Sequence, residues 1–310
     1  MRGDLSLATS VLRAAVGDRV RPAFPLAPLT TFRIGGPAAL YVEPESEADL
    51  IACAEAVRRA EIAFVVLGKG SNVLVADEGF PGLVLRLGRS YRWAAREGNV
   101  LRAGGAMPLP ALAGVALTHG LAGLEFGVAI PASLGGAIRM NAGAHHGEMA
   151  DVVRLIDVFE LGSGTPSQVE ASAAGFSYRR SRLAPDAVIV GSALQLSPGD
   201  PSALRERMDE ARAWRRRTQP LAEPNCGSVF MNPPGDHAAR LIEEAGGKGL
   251  RVGGVQVSPK HANFIVAEPG ARAVDVLELI DRLRSLVRQR TGVVLETEVR
   301  AIGGEAHAAA

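Results

Sequence analysis

The stretch from Gly104 to Gly147 constrains this chain more than any other: it is rich in glycine and alanine, carries few charges, and still holds a helical pattern over Leu109 to Thr118. A run of that kind keeps side chains out of the way. With 310 residues and a usual ~150 per domain, the chain has room for about two domains or three small ones, each with its own core. Its 47% hydrophobic and 22% charged residues match ordinary globular chains, which excludes a fibrous or wholly disordered architecture.

Lysine plus arginine (34) nearly cancels aspartate plus glutamate (33), so no global basic field exists to hold nucleic acid or an anionic membrane. Any anion must be held locally. Met1 to Ser10 carries Arg2 and Asp4 and lacks the apolar core of a signal peptide, and no later run approaches the ~20 apolar residues of a spanning helix, so a cytoplasmic protein is expected. Cys53 and Cys226 stand far apart, which excludes a disulfide framework and a cysteine-rich zinc site and reads as two buried thiols. His145 and His146 are adjacent and poorly placed to share one metal, so no metal is expected.

An N-terminal segment, 1–29, holds a helix over Leu5 to Val16 and an extended stretch from Pro22 to Pro28. A first domain is expected over 30–198, in subdomains of about 30–95 and 96–198. In it, Ala39 to Val42 reads as a strand, Ser46 to Asp49 as a capping box opening a helix, and Phe64 to Leu67 as a second buried strand, a β-α-β unit. Strands follow over Val73 to Val75, Leu83 to Leu87, Val100 to Ala103, Val152 to Glu160 and Val188 to Leu196. Ser197 to Pro201 is a linker to a smaller domain, 199–303, with helices over Ser202 to Arg217 and Ala273 to Arg290 and a closing strand from Val293 to Ile302. A flexible tail, 304–310, ends the chain.

The turn Gly68-Lys69-Gly70-Ser71-Asn72 sits where a strand end meets a loop, a place for ligands. Val73 replaces the third glycine of a dinucleotide fingerprint and no Gly-Lys-Ser/Thr triplet is present, so it is neither a Rossmann nor a Walker loop. Its glycines permit positive φ, and Ser71 and Asn72 can donate to phosphate oxygens. Ile130 to Ala137 and Met140 to Ala144 form a second small-residue loop system with free backbone N–H groups, and two such cradles suit one pyrophosphate. A plain strand connection is the alternative for the first, and a tightly packed Gly/Ala turn region for the second.

These motifs, with Thr30 to Gly36, Phe176 to Arg179, Asn225 to Phe230, Val257 to Phe264 and Leu295 to Arg300, resemble the UDP-N-acetylenolpyruvoylglucosamine reductases over roughly residues 20 to 303, in the shorter, type II-like form. The resemblance implies an α+β fold: an FAD-binding domain of the vanillyl-alcohol-oxidase (PCMH) type made of two α/β subdomains, plus a smaller C-terminal α+β substrate-binding domain. It also implies noncovalent FAD, contacted by Arg33, Ile34, Gly68, Lys69, Gly70, Ser71, Asn72, Ile130, Pro131, Ser133, Gly135, Gly136, Ala137, Asn141, Ala142 and Gly143.

The implied reaction is reduction of a vinyl ether conjugated to a carboxylate, with NADPH as electron source in a ping-pong cycle through one cleft. Charge then gathers on the carboxylate as an enediolate, which calls for a fixed cation and a proton donor on one face. Arg179 takes the first role, with a planar donor fork that stays charged, and Ser228 the second. Strand alternation puts Glu296, Glu298 and Arg300 on one face, and the resemblance selects Glu298 to assist protonation. Tyr178 and Asn232 are implied substrate contacts, while Arg215 to Arg217 suit the diphosphate or simply a charged helix face. His145, Met231 and Ala267 depart from the tyrosine, lysine and asparagine frequent in relatives. Another flavin oxidoreductase on the same scaffold, or a non-catalytic flavin or sugar-nucleotide binding module, is the competing reading. A monomer acting on small molecules, without nucleic acid or membrane, is expected.

Overall fold

The computed structural model of the chain describes residues 3–145 and 147–304. His146 and residues 305–310 of the expected tail lie outside the described residues. Two compact units emerge: one comprises the chain up to Pro22, Ala39–Lys69 and Gly82–Trp214; the other comprises Ala23–Ala38, Gly70–Pro81 and the chain from Arg215 on. The sequence boundaries at 30, 95 and 198 follow chain order and do not separate these segments, because nothing in local pattern marks a segment that leaves one unit and later returns.

In the first unit, Asp4 opens helix α1 (Leu5–Val16) by accepting from Leu7 N at 2.9 Å. Ala8, Leu12 and Val16 line the buried side of α1, which packs on helix α2 (Glu47–Ala60) through Leu50, Cys53 and Ala54. Ser46 caps α2 by accepting from Asp49 N at 3.2 Å. The expected capping box is only half made, because the Asp49 carboxylate takes Glu45 N at 2.7 Å and both terminal nitrogens of Arg19, at 2.6 and 2.8 Å. The loop before α2 and the chain after α1 are thereby tied to one buried carboxylate.

Phe64–Val66 runs parallel to Phe80–Leu85, which stands between it and Pro37–Val42 in the sheet order. The two strands of the expected β-α-β unit are therefore not neighbours. Nor is the second of them buried: Phe64 and Val65 are half-buried, Val66 is exposed, and only Leu67 beyond it is enclosed. A five-stranded antiparallel sheet follows, in the order Thr165–Glu170, Val153–Glu160, Ala187–Gln195, Val100–Gly104, Ala94–Glu97. Helices α3 (Leu109–Thr118) and α4 (Leu134–Arg139) contribute Leu109, Leu112, Leu134 and Ile138 to its core with Leu101, Ile156 and Leu194. The expected linker is part of the structure: Ser197–Pro198 pairs with Leu121–Ala122, and the Asp200 carboxylate accepts from Ala203 N at 3.2 Å at the start of helix α5 (Pro201–Thr218).

The second unit holds helices α6 (Ala238–Glu244) and α7 (Ala273–Thr291) and a three-stranded antiparallel sheet, Arg251–Val252, Val255–Val257, Ile265–Ala267. Val276, Ile280, Leu283 and Val287 of α7 are buried as one stripe with Phe32, Ile34 and Leu74 of the two inserted segments. Asp77, from an inserted segment, accepts from Ala273 N at 2.8 Å and Val274 N at 3.2 Å at the start of α7, and Gly292 ends it at φ 77°. The closing strand is shorter than expected: only Arg300–Ile302 is strand, paired in parallel with Val73–Val75. Before it, Leu295 and Val299 are buried, Glu296 is exposed and Glu298 half-buried, so the two glutamates do not share one environment.

Burial of Asp49 behind three hydrogen bonds from Glu45 N and Arg19 generates a stability prediction. Asp49→Ala should lower unfolding free energy by about 2–3 kcal/mol, measured by denaturant melts, because it strands Glu45 N and Arg19. Chiefly the Arg19 hydrogen bond holds the Asp49 carboxyl below its ordinary value. Its contribution is therefore full above the ordinary aspartate range and is lost as pH falls through the depressed folded value, a dependence the alanine variant should lack.

Candidate functional site

A narrow cleft in the first unit gathers five of the predicted residues, Gly68, Lys69, Ser133, Gly135 and Gly136. Close approach explains the glycine at 68: a Cβ there would lie 2.6 Å from Ser133 Oγ. Free backbone N–H groups, expected of Ile130 to Ala137, are not what this loop offers. Ala132 N bonds Ile130 O, Leu134 N bonds Met107 O at 2.8 Å, Gly135 N bonds Gly105 O at 2.9 Å, Gly136 N bonds Ser133 Oγ and Ala137 N bonds Ser133 O. Short turns and the docking of α4 consume them.

Cations take their place. Lys69, Arg86, Arg92 and Arg139 line the cleft, and no carboxylate does. Arg139 is committed to the carbonyls of Leu183, Ala184 and Ala187. Burial first, then the charges of Arg86 and Arg92, push the Lys69 amine below its ordinary value. Arg86 and Arg92 were not singled out in the sequence, although Arg86 directly follows an apolar strand and so stands at the same kind of strand end as Gly68. A cluster of like charges that lowers a lysine's affinity for its own proton is relieved by a bound polyanion, and a diphosphate suits it.

Arg179 occupies a tight turn, Ser177 to Arg180, closed by Ser177 N to Arg180 O and Arg180 N to Ser177 O, each 3.0 Å. Its φ of 58° is left-handed, a conformation that costs a non-glycine residue about 1 kcal/mol or more. The guanidinium donates to Gly143 O at 2.8 Å and lies 4.9 Å over the ring of the exposed Tyr178. Asn141 is fully buried; its amide donates to Ser177 O at 3.0 Å and accepts from Ala150 N at 2.9 Å. That side chain serves the turn rather than a ligand. Ala137 is likewise enclosed in the core, whereas Ile130 and Ala142 are half-buried and Pro131 is exposed. His145, also at positive φ, meets Trp214 edge to face at 5.1 Å.

The second unit brings together Ser71, Asn72, Ser228 and Glu298. Asn72 Nδ2 donates to Glu298 O at 3.0 Å and Asn72 O accepts from Arg300 N at 3.0 Å, so this amide holds the carboxylate-bearing segment instead of pointing to a phosphate. Gly227 takes φ 78° with its N–H on Asn225 Oδ1 at 2.9 Å, which turns the chain into the half-buried Ser228. Glu298 N donates to Val229 O at 2.8 Å, setting Glu298 on the segment beside Ser228. Burial, with a smaller contribution from the charge of Glu298, raises the Cys226 thiol. Asn232 is exposed and accepts from Ala238 N at 3.0 Å, Ile34 belongs to the core, and Arg33 holds φ 58° with its N–H on Thr30 Oγ1. Gly70, at φ 63°, is required by packing, since a Cβ would meet Leu29 O at 2.3 Å.

A family profile described as an FAD binding domain matches residues 38–169. Fold and site thus define an FAD-binding protein with a separate C-terminal domain. A second profile, "UDP-N-acetylenolpyruvoylglucosamine reductase, C-terminal domain", matches residues 219–302. The reductase of Heliobacterium modesticaldum is 48% identical over 90% of this chain and 89% of its own length, and that of Anaeromyxobacter sp. strain Fw109-5 is 46% identical over 99% and 95%. The crystal structure of the enzyme from Thermus caldophilus superposes with a TM-score of 0.80 at 38% identity, covering 92% of this chain and 99% of that one. This chain belongs to the UDP-N-acetylenolpyruvoylglucosamine reductase family.

A diphosphate held by Lys69, Arg86 and Arg92 would raise the Lys69 pKa, so its binding would be full below the depressed value of the ligand-free protein and weaken as pH rises through it. Arg86→Ala should weaken FAD binding about tenfold at neutral pH and move the alkaline fall-off upward, toward the ordinary lysine range, in flavin-fluorescence titrations.

Proposed function

We propose that this chain reduces the enolpyruvyl group of UDP-N-acetyl-3-O-(1-carboxyvinyl)glucosamine to UDP-N-acetylmuramate, with FAD and NADPH, in peptidoglycan precursor synthesis. The observation that supports the chemical assignment is the 2.8 Å bond from Glu298 N to Val229 O, which sets the segment bearing the Glu298 carboxylate beside the one bearing Ser228. Family membership supplies the substrate class. Lys69, Arg86 and Arg92 would hold the FAD diphosphate, on the evidence of a carboxylate-free cleft whose glycine at 68 leaves no space for a side chain.

FAD held there would supply the hydride chemistry between NADPH and the terminal carbon of the substrate double bond. Arg179 binds the substrate carboxylate and offsets the charge that builds there; a guanidinium keeps its charge at any working pH. Its turn is fixed before substrate arrives by the two Ser177–Arg180 bonds and by Asn141, so little reorganisation is needed at the moment of reaction. The hydroxyl of Ser228 gives its proton to the enediolate carbon, and Glu298 assists that transfer. Tyr178 and Asn232 are assigned to the substrate, as a half-exposed ring beside Arg179 and an exposed amide beyond Ser228.

Action as a monomer in the cytoplasm completes the proposal. NADPH and a nucleotide-linked sugar are charged solutes that do not cross membranes unaided, and both cysteines are free thiols, as a reducing compartment keeps them.

Anaerobic stopped-flow separates the two half-reactions. Ser228→Ala should leave flavin reduction by NADPH within about twofold and slow reoxidation by the enolpyruvyl sugar by about 10²–10⁴-fold, the range of general-acid catalysis. Equal slowing of both phases would remove Ser228 from the proton-transfer step, and no substrate-dependent reoxidation in the parent protein would sink the activity itself.

A further inference from the structure

The buried amide of Asn263 is a side chain that the assigned chemistry does not use. It lies in the Val257 to Phe264 motif and is almost fully enclosed. Its Oδ1 accepts from Phe230 N at 2.9 Å and its Nδ2 donates to Phe230 O at 2.8 Å. One side chain therefore supplies both partners of a single backbone residue, as a neighbouring strand would. Asn263 O adds a third bond, accepting from Val229 N at 2.9 Å.

On the opposite edge the same short segment is held by Glu298 N and Val299 N, both on Val229 O, and by Met231 N on Glu296 O. The chain immediately after Ser228 is thus gripped between Asn263 and the segment bearing Glu298. Asn263 is itself fixed, with its N–H on His261 Nδ1 at 3.2 Å. No shorter or purely apolar side chain reproduces the paired donor and acceptor.

We infer that Asn263 is a positioning residue for the Ser228 hydroxyl: it sets the register of Val229 and Phe230 against the Glu298 segment, so that serine and carboxylate act as one proton-delivery unit. This rests on the proton-donor assignment of Ser228. A displacement of about 1 Å in such a group costs on the order of 100-fold in rate. Binding of the flavin and its reduction by NADPH do not need this register.

The test is a double-mutant cycle on the holoenzyme, with both half-reactions followed anaerobically. Asn263→Ser should slow reoxidation by the enolpyruvyl sugar by about 30–100-fold, with the flavin spectrum unchanged and NADPH-driven reduction within about twofold. In the Ser228→Ala background it should cost less than about twofold more, because a positioning residue has nothing left to position. Asn263→Asp, which keeps the acceptor for Phe230 N and loses the donor to Phe230 O, should fall between parent and serine variant, and it decides the matter if the serine variant does not fold. Equal slowing of both half-reactions, or a full additional loss on top of Ser228→Ala, overturns the inference. If Ser228→Ala reoxidises like the parent, the proton-donor assignment fails instead; if it is slow while both Asn263 variants are normal, only the positioning role fails.

Discussion

Much of the second unit hangs on what Asn72 does with its amide and its backbone. The carbonyl takes Arg300 N and the side chain reaches Glu298 O, directly ahead of the parallel pairing of Val73–Val75 with Arg300–Ile302. A parallel pair needs a long crossover connection, and here it joins segments more than 200 residues apart in the chain. The segment bearing Glu298 is held at this point and again by its own bonds to Val229 and Met231, and Asp77, a few residues beyond Asn72, accepts from the start of α7.

A different constraint governs the anion cleft. Glycine-rich loops are often read as sources of free N–H groups, and this one spends its N–H groups internally. Each bond from Ala132 to Ala137 fixes a turn or ties the start of α4 to Gly105 and Met107, and what lines the cleft beside them is side-chain charge. The glycines contribute space. Ser133 Oγ comes so close to Gly68 that any side chain at 68 would displace it, and that hydroxyl is already the acceptor for Gly136 N. Burial first, then the charges of Arg86 and Arg92, lower the Lys69 pKa, and an anion bound among them would offset both effects.

Three helices, Leu5–Val16, Leu109–Thr118 and Ala273–Thr291, were legible from sequence almost to the residue, although only the first is capped by its own N-cap side chain. Long strands of the five-stranded sheet were legible too. Misreadings fall where long-range bonds decide the backbone. Leu295 to Val299 looks like strand from its β-branched residues, but its N–H and C=O groups go to Val229 and Met231, across a bend that no local pattern encodes. Asp49 looks like the second half of a capping box, but Arg19 is 30 residues away in the chain and outcompetes Ser46 N for the carboxylate. Motif alone does not announce which of the residues it names carry backbone bonds. Asn72 and Asn141 turn out to bind backbone, and the cations at 86 and 92 carry no motif at all.

Left-handed backbone recurs at residues that motif also names. Six non-glycine residues among those described hold positive φ, and three of them, Arg33, Asn141 and Arg179, are residues named from sequence for cofactor or substrate, with His145 close behind Asn141. Glycine at Arg179 would relieve a conformation costing about 1 kcal/mol or more, and asparagine would suffer less than arginine does. Neither carries a guanidinium. At Arg179 the surrounding structure offsets that cost through the paired Ser177–Arg180 bonds and the buried amide of Asn141, which holds the turn in place.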